Sequence, residues 1–249
     1  KICQVVGPSV FIWRQGKAKF INDNFQKIFS IFLIEKKYYK KSKYSYIGHP
    51  SSIKNITRKK KFKKITNLGI FLGSRDQEFF NNLNTLSDFL LTNIKYKIFL
   101  FTLPKYKKYL KNKLSNNNIS VILNDNSYHK YISKLDFALA CSGTVHIELS
   151  LSKIPHLIFY RTSLLNYIFF KLFINSKYLS LLNIFSKKLI IKEFLQSDFK
   201  KENIENYLFN INNEHSLKFL SNSIHKNILK FNINYFSVRP IIDYLKRFS

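Results

Sequence analysis

In 249 residues the chain has no methionine, one tryptophan, two cysteines, five prolines, six glycines and only 14 acidic side chains. Each shortage removes a class of protein. Cys3 and Cys141 lie far apart, with no C-x-x-C pair, so the sequence argues against a disulfide framework. Both read as small buried residues of a reducing compartment. No apolar run reaches the ~18 residues that a membrane span needs. The nearest, 164–174, is broken by Asn166 and Lys171 and reads as a core or interfacial helix. The fingerprints G-x-x-x-x-G-K-[ST] and G-x-G-x-x-G are absent, so triphosphate and dinucleotide readings lack support. No G-x-S-x-G elbow offers a serine nucleophile. The six histidines are scattered, and His146 and His156 have no partners at metal spacing. No metal and no cofactor is therefore expected. The chain starts at Lys1 with a strand already under way (I-C-Q-V-V), and it lacks methionine. A segment upstream of residue 1 is the expectation.

What is present is a large apolar fraction and a large charge. At 45% hydrophobic and 16% aromatic, the chain can bury a sizeable core. The net charge of +28 points to nucleic acid, an anionic membrane surface or polyphosphate substrates. Only six of the 42 basic residues are arginine, and Lys, Asn, Ile and Phe are all abundant. Compositional drift, with lysine as the default surface residue, explains the charge equally well. Drift makes the scarce Arg, Gly and Pro positions the informative ones.

Along the chain, an opening strand leads into a Gly7-Pro8 loop. Then come a helix over 17–24, a strand over 27–34, a basic helical turn over 35–40 and a strand over 44–47. The polar, basic stretch 51–64 reads as a linker, which sets domains at 1–62, 63–230 and a C-terminal helix in 231–249 that packs back on the first. From residue 68, strands at 68–72, 97–102, 119–123, 137–140 and 155–160 alternate with helices at 76–91, 104–114, 128–134 and 144–151. That alternation predicts an α/β fold with a parallel, Rossmann-like sheet. Further helical segments are expected at 193–195, 201–210, 217–230 and 241–248.

Two turns at strand ends stand out, Gly73-Ser74-Arg75 and Ser142-Gly143-Thr144. Each puts small residues where a backbone can approach a ligand, just before a helix whose N-terminus favours phosphate. Arg75 can grip a diphosphate through two N–H groups at once. It can equally be a surface residue paired with Asp76 or Glu78. Glu148 follows Thr144 by one helical turn, so both can face one crevice. The plain alternative is a strand, a Ser or Thr cap and a helix. His49, in G-H-P, either orients a ligand or is a satisfied structural histidine. His146 reads as a capping or surface residue.

In order, the chain carries G-P-S-V-F-I-W-R-Q-G-K, Y-I-G-H-P, L-G-S-R-D-Q-E-F, A-C-S-G-T-V-H-I-E, F-Y-R-T-S-L-L-N-Y, S-L-L-N-I-F and K-E-F-L-Q. This ordered set resembles the lipid-A-disaccharide synthase family, inverting GT-B glycosyltransferases, over residues 5–196. The resemblance implies a GT-B fold, with a donor-binding domain and the remainder of an N-terminal acceptor domain. It implies transfer of 2,3-diacylglucosamine from its UDP derivative to 2,3-diacylglucosamine 1-phosphate, in lipid A biosynthesis. Gly73, Ser74, Arg75, Ser142, Gly143 and Thr144 would cradle the UDP diphosphate, with Arg75 steadying the leaving group. Glu148 would accept from the ribose hydroxyls, and Asn183, Glu193 and Gln196 would line the donor cleft. Ser9, Trp13, Arg14 and His49 would lie on the acceptor side.

Departures from the family pattern are Leu72 and Leu182 where it has proline, and Leu189 where it has an acidic residue. The family's opening Gly-rich loop and its Asp base have no counterpart here, so the chain alone is expected to hold UDP without turning over. The partners implied are the two acylated sugars, an anionic membrane surface and a homodimer, with no nucleic acid. The place implied is the cytoplasmic face of the inner membrane. Three rivals stay open: another UDP-sugar GT-B enzyme, such as a peptidoglycan glucosaminyltransferase, a basic nucleic-acid-binding protein, and a degenerate remnant.

Overall fold

The structure, a computed structural model, describes residues 2–7, 10–11, 16–53, 61–114, 118–125, 128–162 and 176–247. The chain divides into two compact units. The first draws on Lys1–Asn55 and Lys226–Ser249, the second on Ile56–Leu164 and Tyr178–His225. Among the described residues, no helix is long and apolar enough to cross a membrane.

In the first unit, β1 (Cys3–Val5), β2 (Lys27–Ser30) and β3 (Tyr44–Tyr46) form a parallel sheet in that order, and α1 (Gly16–Asn24) joins the first two. The strand expected over 27–34 stops at Ser30. The Ser30 hydroxyl donates to the Glu35 carboxylate and accepts from the Phe32 N–H, which turns the chain into a 3-10 helix over Leu33–Tyr38. Glu35 is buried there, and burial raises its pKa. After β3, Gly48 has φ +79, and a Cβ on it would lie 1.9 Å from the Tyr235 carbonyl oxygen. Only glycine fits, and the gap lets the His49 N–H reach that same carbonyl at 2.8 Å. Helix α9 (Arg239–Leu245) closes this unit, with the Tyr244 ring edge-on to Phe29.

The second unit has six parallel strands: β4 (Asn67–Phe71), β5 (Lys97–Thr102), β6 (Ile119–Leu123), β7 (Phe137–Cys141), β8 (His156–Tyr160) and β9 (Glu193–Leu195). Their order across the sheet is β6-β5-β4-β7-β8-β9. Strand residues divide by parity between two cores, as a period of two requires. Leu68, Ile70, Ile98, Leu100, Phe137, Leu139, Leu157 and Phe159 face one core. It is covered by α2 (Asp76–Thr92), α3 (Lys107–Lys113), α7 (Lys201–Ile211) and α8 (Glu214–Lys230). Phe71, Phe99, Phe101, Ala138 and Ala140 face the other, under α4 (Tyr128–Ile132) and α5 (Val145–Leu151). Both sheet faces are covered, which explains why β4 and β7 read as unbroken apolar runs.

Two expectations change here. Residues 193–195 are not helical. They form β9, pairing with Ile158–Tyr160, since three residues carry no helical period and E-F-L alternates in burial instead. A helix the periodicity did not reveal, α6 (Leu181–Ser186), precedes β9, and Ser180 caps it by accepting the Asn183 N–H at 3.2 Å. The stretch expected to be helical over 164–174 lies outside the described residues.

His156 opens β8 fully buried, with Nδ1 bound to the Ile154 carbonyl and Nε2 without a partner. Burial lowers its pKa to about 4. In the unfolded chain it protonates near 6.5, so between those values the unfolded state binds the extra proton. The neutral ring thus contributes stability above pH 6.5 that is lost as the pH falls toward 4. Urea titrations at pH 7.5 and 4.5 check this: the wild type loses more stability between them than His156→Leu, and equal losses would refute it.

Candidate functional site

The second unit's strand order reverses between β4 and β7. From β4 the chain adds strands toward one edge, and from β7 toward the other. The connections after these two strands therefore part to opposite faces, and a crevice opens outside their carboxyl ends. Both small-residue turns emerge there. Gly73-Ser74-Arg75 follows β4, and Ser142-Gly143-Thr144 follows β7, its paired neighbour.

Asn82, in the apolar face of α2, ties the two strand ends together. Its Nδ2 donates to the Leu72 carbonyl at 2.8 Å and to Cys141 Sγ at 3.3 Å. Cys141 is buried, and loss of solvation, reinforced by the nearby Glu78 charge, raises its thiol pKa to about 12. It is a packing thiol, not a nucleophile.

The two glycines differ in physical origin. Gly73 has φ +101, and a Cβ there would sit 3.2 Å from both Cys141 Sγ and Glu78 Oε2. The fold itself requires it. Gly143 has no positive φ, and its Cβ would meet nothing nearer than the Cys141 carbonyl oxygen at 4.0 Å. Nothing among the described residues requires glycine there.

Arg75 precedes the first turn of α2 and is 81% exposed, with Nη1 2.8 Å from Glu78 Oε1. That bond holds its pKa above the usual value. The surface-pairing alternative is thus realised with Glu78, and it uses one of five guanidinium N–H donors. Asp76 binds Lys105 and the Tyr106 hydroxyl instead. Helix α2 has 17 residues, so its first N–H groups and its dipole point out at the strand ends.

On the other side, α5 has only seven residues and correspondingly less dipole. The Ser142 N–H donates to the Phe159 carbonyl at 3.1 Å, so it is spent within the sheet. Among the described residues, no acceptor takes the N–H of Gly143 or Thr144. The Thr144 side chain makes no cap bond, so the capped-helix alternative is not realised through Thr144. His146 is buried rather than at the surface. Glu148 is half-buried in the first turn of α5, and its Oε2 accepts from the Tyr128 hydroxyl at 3.2 Å.

Asn183, Glu193 and Gln196 form a second group at β8 and β9. Asn183 is fully buried. Its Nδ2 donates to the Ile191 carbonyl and to Glu193 Oε1, both at 2.7 Å, while its Oδ1 accepts from the Ile190 and Ile191 N–H groups. Glu193 also accepts from the Leu179 and Ser180 N–H groups at 2.9 and 2.8 Å. The Gln196 amide pairs in both directions with the backbone of Thr162, at 2.9 and 3.1 Å. These side chains spend their bonds on the loops after β8 and before β9. Beside them, Arg161 Nη1 reaches Thr85 Oγ1 at 3.1 Å, on the rim of an open hollow of ≈ 540 Å³ along α2.

His49 belongs to the first unit. It is buried, its Nδ1 accepts from the Ser51 N–H at 3.2 Å, and burial lowers its pKa to about 4. That geometry is a satisfied structural histidine. Ser9, Trp13 and Arg14 lie outside the described residues. No group of three or more His, Cys, Asp or Glu among the described residues is placed to hold a metal. Sequence reasoning missed Asn82 and Tyr128. Asn82 leaves a trace, a polar residue at a core position of an apolar helical stripe. Tyr128 leaves none, because a half-turn tyrosine looks like any core aromatic.

Residues 1–234 match the family model LpxB, lipid-A-disaccharide synthetase. Lipid-A-disaccharide synthase 1 of Legionella pneumophila (strain Philadelphia 1) is 30% identical over 237 residues, covering 86% of this chain and 60% of its own. The lipid-A-disaccharide synthase of Rickettsia prowazekii is 30% identical over 223 residues, covering 84% and 59%. The chain spans about 60% of the length of these curated relatives. Among solved structures, a glycosyltransferase from Rickettsia africae superposes with a TM-score of 0.56 at 10% identity, over 98% of this chain and 70% of its own. Anabaena HepE in complex with UDP and glucose gives 0.51 at 10%, over 98% and 71%. Acinetobacter baumannii MurG gives 0.52 at 11%, over 84% and 58%. At these identities the likeness shows the fold alone, which is α/β of the GT-B type.

The two glycines generate opposite expectations for thermal unfolding. Gly73→Ala costs about 1–3 kcal/mol through its backbone conformation. Gly143→Ala is neutral or stabilising by up to about 1 kcal/mol, because alanine restricts the unfolded chain. A tolerated Gly73→Ala would contradict the geometry.

Proposed function

The chain belongs to the lipid-A-disaccharide synthetase family, and on that premise we propose that it holds the UDP-sugar donor of an inverting glycosyl transfer. The reaction moves 2,3-diacylglucosamine from its UDP derivative to 2,3-diacylglucosamine 1-phosphate and releases UDP. The observation that carries this reading is the meeting of the two turns at the β4–β7 reversal. That both HepE, solved with UDP and glucose, and this chain share a fold supports the donor class.

In this reading, the N-terminus of α2 and the free N–H groups of Gly143 and Thr144 receive the diphosphate. Gly143 leaves room for the phosphate to approach. As the sugar–phosphate bond breaks, negative charge grows on the departing UDP. The Arg75 guanidinium, steadied by Glu78, stabilises that charge without reorganising. The Glu148 carboxylate accepts from the ribose hydroxyls. Asn183, Glu193 and Gln196 act as positioning residues that shape the loops around the donor. Ser9, Trp13, Arg14 and His49 belong to the acceptor side. The acceptor hydroxyl loses a proton to a base, and no residue of this chain is assigned that role.

In the assembled enzyme, Arg75→Ala costs about 2–4 kcal/mol of transition-state stabilisation. Steady-state turnover checks it, and a wild-type kcat in the variant would end the clamp assignment.

The +28 charge and the acylated substrates support a further part of the reading, a peripheral position on an anionic bilayer at the cytoplasmic face. Co-sedimentation with vesicles containing anionic lipid is expected to fall as salt rises. Equal binding to neutral vesicles would remove the electrostatic part.

A further inference from the structure

The first unit holds a strained turn directly over a buried acid, and neither belongs to the crevice of the second unit. Just after β1, Val6 has φ +63, a left-handed conformation that a β-branched residue rarely adopts. Its N–H still donates to the Phe29 carbonyl of β2 at 2.9 Å, and its side chain is exposed. The next residue, Gly7, is buried against two oxygens. A Cβ on it would lie 3.0 Å from the Tyr39 hydroxyl and 3.4 Å from Glu35 Oε2. Glu35 is 1% exposed. Among the described residues, neither Glu35 Oε1 nor the Tyr39 hydroxyl has a hydrogen-bond partner, and no Lys, Arg or His forms an ion pair with Glu35.

The Glu35 carboxyl meets Ser30 Oγ through Oε2. That hydroxyl has one proton, and the Phe32 carbonyl also lies within its reach, at 2.9 Å. With Glu35 ionised, the proton serves only one of the two acceptors. With Glu35 protonated, the acid O–H turns to Ser30 Oγ and the hydroxyl proton is released to Phe32, so both bonds are made. Ionisation thus costs a bond and leaves a buried charge without a cation. Burial accordingly raises the Glu35 pKa above 4.5. Among the described residues, the titratable groups that face it are the hydroxyls of Tyr39 and of Tyr44 on β3. Burial above all pushes both phenols up, Tyr44 to about 12, so neither carries charge near neutral pH. His49, whose ring lies 5.5 Å from that of Phe32, is neutral above about pH 4. Lys36 and Lys37 follow Glu35 and are exposed.

We propose that Glu35 is the latch of this turn: as a neutral acid it lets the Val6–Gly7 segment close over it, and as a carboxylate it opens that segment to water. Opening is the least costly way to solvate the charge. The cover is the end of a three-residue edge strand, and its release also relieves Val6. The closed state keeps its proton above pH 4.5 and the open state does not. Closure is therefore fully present below that value and is lost as the pH rises to and through the Glu35 midpoint.

Two NMR measurements on the chain across a pH series test this. One follows the side-chain carboxyl carbon shift of Glu35. The other follows hydrogen-exchange protection of the Val6 N–H, corrected for the intrinsic exchange rate. The carboxyl is expected to titrate above 4.5. Val6 protection is expected to fall by up to about tenfold per pH unit from there to the Glu35 midpoint, the slope of one proton released per opening, and then to level off. Protection at Ile70, in the second unit, does not fall with it. Glu35→Gln keeps the size and stays neutral, so its Val6 protection is expected not to change with pH. A Glu35 midpoint at or below 4.5, Val6 protection that is flat in the wild type, or an equal fall in Glu35→Gln would overturn the proposal. The first two outcomes are read in the wild type alone, so the test stands even where Glu35→Gln does not fold.

Discussion

The second unit depends on one topological constraint, the reversal of strand order between β4 and β7. Parallel strands need long connections, and right-handed crossovers running in opposite directions must cover opposite faces. Here α2 and α3 cover one core, while α4 and α5 cover the other. At the reversal neither connection can close over the strand ends. A gap is forced there, and its walls are the two turns that leave β4 and β7. Asn82 holds those walls at fixed spacing by bonding the end of each strand. An apolar residue at that position would fill the core as well and tie nothing together. The polar atom in the core therefore reads as a device for position rather than for stability.

The same logic explains the group around β9. A three-residue edge strand has little intrinsic stability, and the loops on either side of it need other anchors. Asn183 fills its acceptor and donor capacity with backbone and Glu193, and Gln196 copies a backbone pair with Thr162. Buried networks of this kind are rigid when fully satisfied. Their cost in specificity of sequence is high, since aspartate at 183 or glutamate at 196 would lose the donors. These side chains order the loops on either side of β9.

The parallel sheet was legible from the alternation of apolar strands with helices, because each strand is buried on both faces and each helix on one. The crevice was legible from two turns rich in small residues. What escaped was whatever depends on partners distant in sequence. The E-F-L strand carries no period of its own and exists because β8 offers it an edge. The end of β2 depends on a side-chain bond between Ser30 and Glu35. Residue type allowed a Ser or Thr cap as the plain alternative at this turn, yet the Thr144 side chain makes no such bond. Gly73 and Gly143 look alike as letters, and only φ and the neighbouring Sγ separate a glycine demanded by the fold from one that is not.

The central claim is that the β4–β7 crevice, rather than the lysine-rich surface at large, receives the nucleotide diphosphate. The direct measurement is the change in backbone amide NMR shifts of the chain on titration with UDP at physiological salt. The account predicts the largest changes at Gly73, Ser74, Arg75, Gly143 and Thr144, saturating together, with little change at Ser142, whose N–H is held by Phe159. Shifts spread over surface lysines and abolished by moderate salt would contradict it.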